Sequence, residues 1–357
     1  IQNAINFAYE KGIKKVIIPY GIYIITSINV LSITLEGCGG TLKWKDGYCN
    51  NSESPFYMLH NMTSSAHEYG GYNDTSFINL KIDGNNENNT MFKVADCITA
   101  TGTNIKIIGC EIINPPDSGI MFTAVKSSIC ENNKISGARD LGIYVNAGEF
   151  EKFEDNVISK NMIADCQFGG IALKRRCSNA VVSENLITNC GNGITLEHAS
   201  YEDDFSERIT ISNNRLKDIG VNYPDAAKIG ICVRGGENSV VTSNYIYNVL
   251  GPGIILDGSS NNIVSNNIIK GNRTDGHIES NSGVRIIDRQ TTSNVFKSKN
   301  NIISNNIISD CNRCSIHIIG TDLEDDYYNC VAYNKLYNSR SANIRFDGGN
   351  SNMVTNN

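Results

Sequence analysis

The chain has 357 residues, 40% of them apolar, and carries a formal net charge of −6. It has no basic block and no apolar run of membrane-spanning length, so neither nucleic acid nor a membrane is expected as a partner. A chain this long exceeds the usual limit of a single core, and it remains one domain only if it grows by repetition.

The first expected element is a short helix over Gln2–Glu10, with Ala4, Ile5, Phe7 and Ala8 along one face and Gly12 ending it. Strands follow over Val16–Pro19 and Tyr23–Ile25, either side of Tyr20-Gly21. A helix laid across the first coil would cover a sheet edge otherwise open to pairing. Residues 1–45 are therefore expected to form an N-terminal cap, and residues 46–357 the body.

The body is repetitive. Gly-Ile-x-apolar or a close copy recurs from Gly142, Gly170, Gly193, Gly230, Gly253 and Gly283, with Gly119 one copy earlier. Between these phrases stand near-copies of a second one, placing Asn133, Asn161, Asn185, Asn214, Asn244, Asn267, Asn306 and Asn334 just before an apolar residue. Each copy is too short to bury its own apolar face and must stack on its neighbours. Within a copy the apolar residues alternate, as in Val181-Val182-Ser183-Glu184-Asn185-Leu186-Ile187, which is a strand period. Abundant Ile, Val, Thr and Tyr with little Pro favour strands too. The fold class that follows is all-β: a right-handed parallel β-helix with a short capping helix. The Asn column is read as structural. Asn tolerates a left-handed corner, and its amide can bond the next Asn up the stack.

The opening stretch, with Pro19, Gly21 and Tyr23 after an AIQxAI-like helix, resembles the start of pectate lyase superfamily β-helix proteins. Ile82-Asp83-Gly84-Asn85 resembles a phrase common in that superfamily. The resemblance covers nearly the whole chain and implies the fold. For function it implies a range: polysaccharide lyases, glycoside hydrolases, uronate epimerases, fructan-converting transferases and bacteriophage tailspikes. The polygalacturonase motif set and the Tyr-Gly-x-Asp-Pro-His phrase of alginate epimerases are absent. Chain ends that fall inside a helix and inside a coil phrase suggest a fragment of a longer protein.

Twelve cysteines raise the question of disulfides or zinc. Cys166, Cys190 and Cys311 occupy the coil position that holds Ile219 and Val249 elsewhere, so they are expected to be small buried hydrophobes. Cys311-Asn312-Arg313-Cys314 has no matching second pair, which argues against zinc. Free thiols suggest assembly in a reducing compartment, with action at a cell surface, outside the cell or on a virion.

In each Gly-Ile-x-Leu-y strand, x and y face away from the core. The y column then holds Lys174, Glu197, Arg234 and Asp257 on successive coils, and the x column includes Tyr144 and Arg285. Two readings stand side by side. Alternating charges keep a sheet face soluble, or they line a saccharide groove. The longest gap between phrases carries the segments 198–207 and 217–228, where His198, Tyr201, Phe205 and Tyr223 are candidates to touch sugar rings. Glu197 is the expected main acid or base, flanked by Lys174 and Arg234, with Asp257 as the expected proton donor. No cofactor is expected. Glu202-Asp203-Asp204 is the best calcium candidate, and such a run is more often a solvated charge cluster. The partner expected is a polysaccharide, and a homotrimer is the assembly a tailspike would imply. Competing expectations are a non-catalytic receptor-binding β-helix and a transferase or epimerase.

Overall fold

The structure, a computed structural model, describes residues 1–50, 56–63, 70–90, 94–147, 152–197, 205–271, 282–290, 294–320 and 326–357. The chain divides into two compact units, Ile1–Ile171 and Ala172–Asn357. Each is built from coils of short strands in three sheets, and the strands of these sheets pair in parallel with their counterparts one coil on.

In the first unit the register Val16–Leu35–Phe77–Ile107–Cys130–Ile158 runs through the first sheet. From Leu35 onward each of these is at most 1% exposed, so one position per strand fills the core while its neighbours face outward. The second unit repeats this as Val182–Ile211–Val241–Val264–Ile303–Val331, all fully buried. The helix forms over Gln2–Glu10 as expected, but only Ile5 and Ala8 are buried, while Ala4 and Phe7 are exposed. Gln2 fixes the helix by exchanging hydrogen bonds with the Asn29 backbone at 2.9 and 3.0 Å.

The Asn column stacks at the corner between the first and second sheets. Asn133 meets Asn161 in the first unit, Nδ2 to Oδ1 at 2.9 Å. In the second unit the ladder runs Asn185–Asn214–Asn244–Asn267–Asn306–Asn334–Asn357, with side-chain bonds of 2.9–3.0 Å at every rung. Each Asn Oδ1 also accepts the backbone N–H of the Asn below, as at Asn214 N to Asn244 Oδ1 (3.0 Å). The left-handed residue is one position earlier than expected. Lys160, Glu184, Asn213, Ser243, Asn266, Asn305 and Tyr333 have φ of 54–57°, and the ladder Asn do not share that conformation. The amide is thus retained for its bonds, and the strain falls on a neighbour of almost any type. A second ladder, of mixed Ser and Asn, lies at another corner: Ser239–Asn262–Asn301–Asn329–Asn352, each backbone N–H held by the next side chain at 2.9–3.2 Å.

The Gly of the repeated phrase stands where no side chain fits. A Cβ on Gly142 would lie 2.4 Å from Ile163 Cγ2, and one on Gly193 2.2 Å from Leu216 Cδ2. These are close approaches at the entrance to the third sheet, and they demand Gly for space. All twelve cysteines are free, and Cys166, Cys190 and Cys311 are at most 1% exposed, as their shared position with Ile219 and Val249 requires.

Two predictions follow from this interior. Asn244→Leu keeps the volume but strips Asn214 N–H of its acceptor and removes the amide's bonds to Ile211 C=O and Asn267 Oδ1, the latter keeping the Asn244 backbone N–H. A buried group left unpaired costs roughly 1–3 kcal/mol, so denaturant unfolding should show a loss of at least about 1 kcal/mol.

The other prediction concerns a pair of buried acids in the first unit. Asp96 Oδ1 accepts from Ser118 N at 3.2 Å, and Asp117 Oδ2 accepts from Ala95 N at 3.3 Å. Burial, then the charge of Asp117, pushes Asp96 well above the ordinary carboxyl range; burial, then Asp140, pushes Asp117 up to about 7. Tyr57, the register partner of Asp96, and the nearby Cys97 add no compensating positive charge. The folded state therefore binds protons the unfolded chain has released. Stability is full below about pH 4 and falls as pH rises through about 7. Asp96→Asn should flatten that decline and raise the melting temperature at pH 8 by at least about 3 °C, the effect of roughly 1 kcal/mol in a unit of this size.

Candidate functional site

The third sheet of the second unit carries the candidate residues. Its strands include Ile194–Glu197, Ile231–Arg234, Ile254–Asp257, Val284–Ile287, Cys314–Ile319 and Ala342–Asp347. Leu196, Val233, Leu256, Ile286 and Ile318 point inward and are at most 1% exposed. Register then aligns two outward columns. One is Thr195–Cys232–Ile255–Arg285–His317–Arg345. The other is Arg234–Asp257–Ile287–Ile319–Asp347, with Glu197 one residue past the Leu196–Val233 pair. Arg175 N–H donates to Glu197 C=O at 3.0 Å, which places the end of the Gly169–Lys174 strand against Glu197.

The expectation that these columns face open solvent is corrected for five of their residues. Thr195, Cys232, Ile255, Asp257 and His317 are 1–6% exposed. At Cys232, Ile255 and the end of the Asp257 strand the reason is that insertions fold back over the face. Ile229 packs on Cys232 and Ile255, with Ile287 beside them, as a small apolar cluster outside the main core. The hairpin Arg289–Gln290 with Val295–Phe296 sits on Gly258, where a Cβ would come within 2.8 Å of Arg289 and 2.9 Å of Phe296. Phe296 in turn meets the ring of Phe205 edge-on at 5.7 Å. The 217–228 insertion begins later than expected, because Lys217, Asp218 and Ile219 complete the strand Arg215–Ile219.

The charged stripe divides into two parts. Arg234 Nε donates to Asp257 Oδ2 at 2.7 Å, and the Asp257 side chain is only 8% exposed. Burial works against the Arg234 charge, but Cys232, Asp257 and Glu197 together hold its proton more tightly than usual. Glu197 and Lys174 are partly exposed, and among the described residues neither makes a side-chain hydrogen bond or ion pair. Arg289 also faces this group, its proton affinity lowered by burial and by Arg234.

Tyr144 lies in the first unit, partly exposed, opposite Met121. Tyr223 is partly buried in the insertion after Gly220. His198, Tyr201, Glu202, Asp203 and Asp204 lie outside the described residues. Arg285 joins the same face as Arg234 and Asp257. Beside it stand residues that the repeat phrase did not single out. His317 Nε2 lies 2.8 Å from Asp347 Oδ2, and Arg345 Nε donates to Asp347 Oδ1 at 2.8 Å. Ser315 and Asn343 replace Gly in these coils, but the alternation Ile-His-Ile and Ile-Arg-Phe-Asp continues and marks the same outward positions. Among the described residues no group of three or more His, Cys, Asp or Glu side chains is placed to hold a metal ion, and no helix is long and apolar enough to cross a membrane.

The stacked parallel coils, the two ladders and the outward columns define a β-helix. A family model described as "Right handed beta helix region" matches residues 48–206 and 200–357, and the chain belongs to that family. No curated protein matches the sequence. The A-module of the Azotobacter vinelandii mannuronan C-5 epimerase AlgE6 is similar in structure, at 18% identity and a TM-score of 0.72, over 99% of this chain and 93% of that one. The Streptococcus pneumoniae surface protein and adhesin PfbA aligns at 15% identity and a TM-score of 0.66, covering 99% and 95% of the two chains. A mutant tailspike of the E. coli bacteriophage HK620, solved with a hexasaccharide, aligns at 14% identity and a TM-score of 0.61, covering 99% and 75%. At these identities the likeness is one of fold.

The split stripe yields a stability test. Asp257→Asn removes the anion that balances the part-buried Arg234, and should cost about 1–3 kcal/mol. Glu197→Gln breaks no contact among the described residues and should leave the melting temperature within about 1 °C. Thermal unfolding of the two variants side by side reads both outcomes.

Proposed function

We propose that the outward face of the third sheet binds a polysaccharide and cleaves it, with Glu197 as the acid–base group. The observation that carries this reading is the division of the stripe. Of its two carboxylates, Asp257 is committed to Arg234, while Glu197 is partly exposed and uncommitted between the cations Lys174 and Arg234. Lys174 and Arg234 on the neighbouring coils would stabilise negative charge that develops on a bound sugar. Rigid strands supply the positioning, and the insertions supply walls.

A two-carboxylate hydrolysis would require Asp257 to leave Arg234 and donate a proton. Glu197 and Asp257 lie two coils apart, about 9–10 Å between backbones, near the upper end of the separation used in inverting hydrolysis. Proton abstraction beside a uronate needs only one base and a nearby cation. Incubation with a polysaccharide panel separates them. New reducing ends alone indicate hydrolysis, and added ultraviolet absorbance of an unsaturated uronate indicates elimination.

A second reading is a non-catalytic saccharide-binding β-helix, the kind a tail appendage or an adhesin would use. It is favoured by the Arg234–Asp257 pair, because charges that neutralise each other on a ladder need no chemistry. A secreted enzyme or a trimeric virion spike would both present this face, and native mass distinguishes them.

Glu197→Gln decides between the readings. On an active substrate it should lower turnover by at least about a hundredfold with little change in binding. Turnover near that of the wild type would make Glu197 a ladder charge and would move the search to the loop carboxylates Glu202, Asp203, Asp204 and Asp225.

A further inference from the structure

The second sheet of the second unit presents a stripe of cations and tyrosines. Its strands include Arg215–Ile219, Tyr245–Val249, Ile268–Lys270, Ile307–Ser309 and Lys335–Tyr337. Leu216, Ile246, Ile269 and Ile308 point inward and are fully buried. Register then aligns two outward columns, Arg215–Tyr245–Ile268–Ile307–Lys335 and Lys217–Tyr247–Lys270–Ser309–Tyr337. Every cation and every tyrosine in them is exposed, so a ligand reaches them from open solvent.

Charges on a sheet face ordinarily alternate, because like charges repel across strands. The same sheet in the first unit obeys this. There Lys81, Glu111 and Lys134 are successive register partners, and Lys43 lies 3.6 Å from Asp83. The two columns of the second unit hold four cations and no carboxylate. The acids next to them, Asp218 and Asp310, are engaged by Asn248 at 2.6 Å and Asn338 at 3.2 Å. Lys217 lies 3.5 Å from Asp218, an exposed pair of little worth, and the Arg215 guanidinium lies over the Tyr245 ring at 5.7 Å. Among the described residues the Lys270 and Lys335 side chains make no hydrogen bond or ion pair.

The size of the stripe limits what it can hold. Four intervals of about 4.8 Å give a length of about 19 Å, and the two columns lie about 7 Å apart. Such a strip offers on the order of 200 Å², against roughly 800 Å² that each partner contributes to a stable protein interface. It suits an extended polymer, and the unbalanced cations call for an anionic one. They are spaced at about one per 5 Å, whereas duplex DNA carries a charge every 1.7 Å or so and would leave most phosphates unmatched. A tyrosine ring has an apolar face and a polar tip, which fits the C–H face and hydroxyl rim of a sugar. We propose that the second sheet of the second unit is a docking track for an acidic polysaccharide, with sugar rings on Tyr247 and Tyr337 and acid groups on Lys270 and Lys335.

The track lies on a different sheet from Glu197 and does not depend on that residue's role. It holds a polymer without reacting with it. The cations Lys217, Lys270 and Lys335 are far apart in the chain, so no basic block shows in the sequence, and register alone assembles them. A chain with a net charge of −6 would thus meet a polyanion through a local patch and not through its overall field.

The test is affinity electrophoresis of the whole chain in gels containing dextran sulfate, hyaluronate or polygalacturonate. Neutral dextran and poly(U) serve as controls. At least one acidic polysaccharide should retard the chain, and neither control should. Lys270→Gln combined with Lys335→Gln should weaken that binding by at least about tenfold. The same pair should melt within about 1 °C of the wild type, because neither lysine has a partner to lose. Tyr247→Ser combined with Tyr337→Ser should weaken binding by at least about fivefold, and the Tyr→Phe pair, which keeps the rings, should restore it. No retardation by any acidic polysaccharide, or equal retardation by dextran or poly(U), overturns the proposal. So does binding that needs the lysines but is unchanged in the serine pair, which is polyelectrolyte attraction only. If a polysaccharide is cleaved while the lysine pair binds like the wild type, the track falls and the cleavage reading stands. If binding depends on the lysines while Glu197→Gln keeps full activity, the track stands and Glu197 is not the acid–base group.

Discussion

The amide ladder is the interaction on which the rest depends. A coil of this protein cannot bury its own apolar strands, so each must be held in register with the next. The Asn side chain does this by bonding its neighbour's amide and backbone together, inside the protein where water cannot compete. That register places one residue of each short strand in the core. It also aligns Arg234 with Asp257 and Arg285 with His317. A slip by one residue would turn every inward Ile outward and dissolve both the core and the candidate site.

Crowding is the complementary constraint. The Gly at the entrance to the third sheet leaves room for the next coil's Ile or Leu. The ladder sets the spacing between coils, and the Gly sets how closely the second and third sheets approach. Both are recurring demands on a single residue type, and so both leave a mark in the sequence.

The fold was legible for that reason. Asn161, Asn185 and Asn214 announce a shared corner because no other side chain offers a donor and an acceptor in that shape. The second ladder was not legible, since Ser239 and Asn262 do the same work with different residues. The left-handed corner was misplaced by one residue because its occupants, from Lys160 to Tyr333, have nothing in common chemically. For the site, the sequence indicated which side chains point outward but not which of them are covered. Cover comes from Ile229 and from the paired strands Arg289–Gln290 and Val295–Phe296, segments that follow no repeat. His317 and Asp347 escaped notice because their coils lack the Gly that marked the others.

The rungs of the ladder are equally spaced in the molecule but not along the chain. Asn244 and Asn267 are separated by 23 residues, whereas Asn267 and Asn306 are separated by 39, yet each pair closes at 3.0 Å. Extra residues between rungs are therefore mechanically silent to the stack. The ladder of the second unit behaves as a rack with fixed slots, into which segments of different length and chemistry can be fitted without disturbing the slots on either side. Segments exchanged between such ladders should leave the register intact, so that in this architecture the insertions can vary independently of what makes the stack durable.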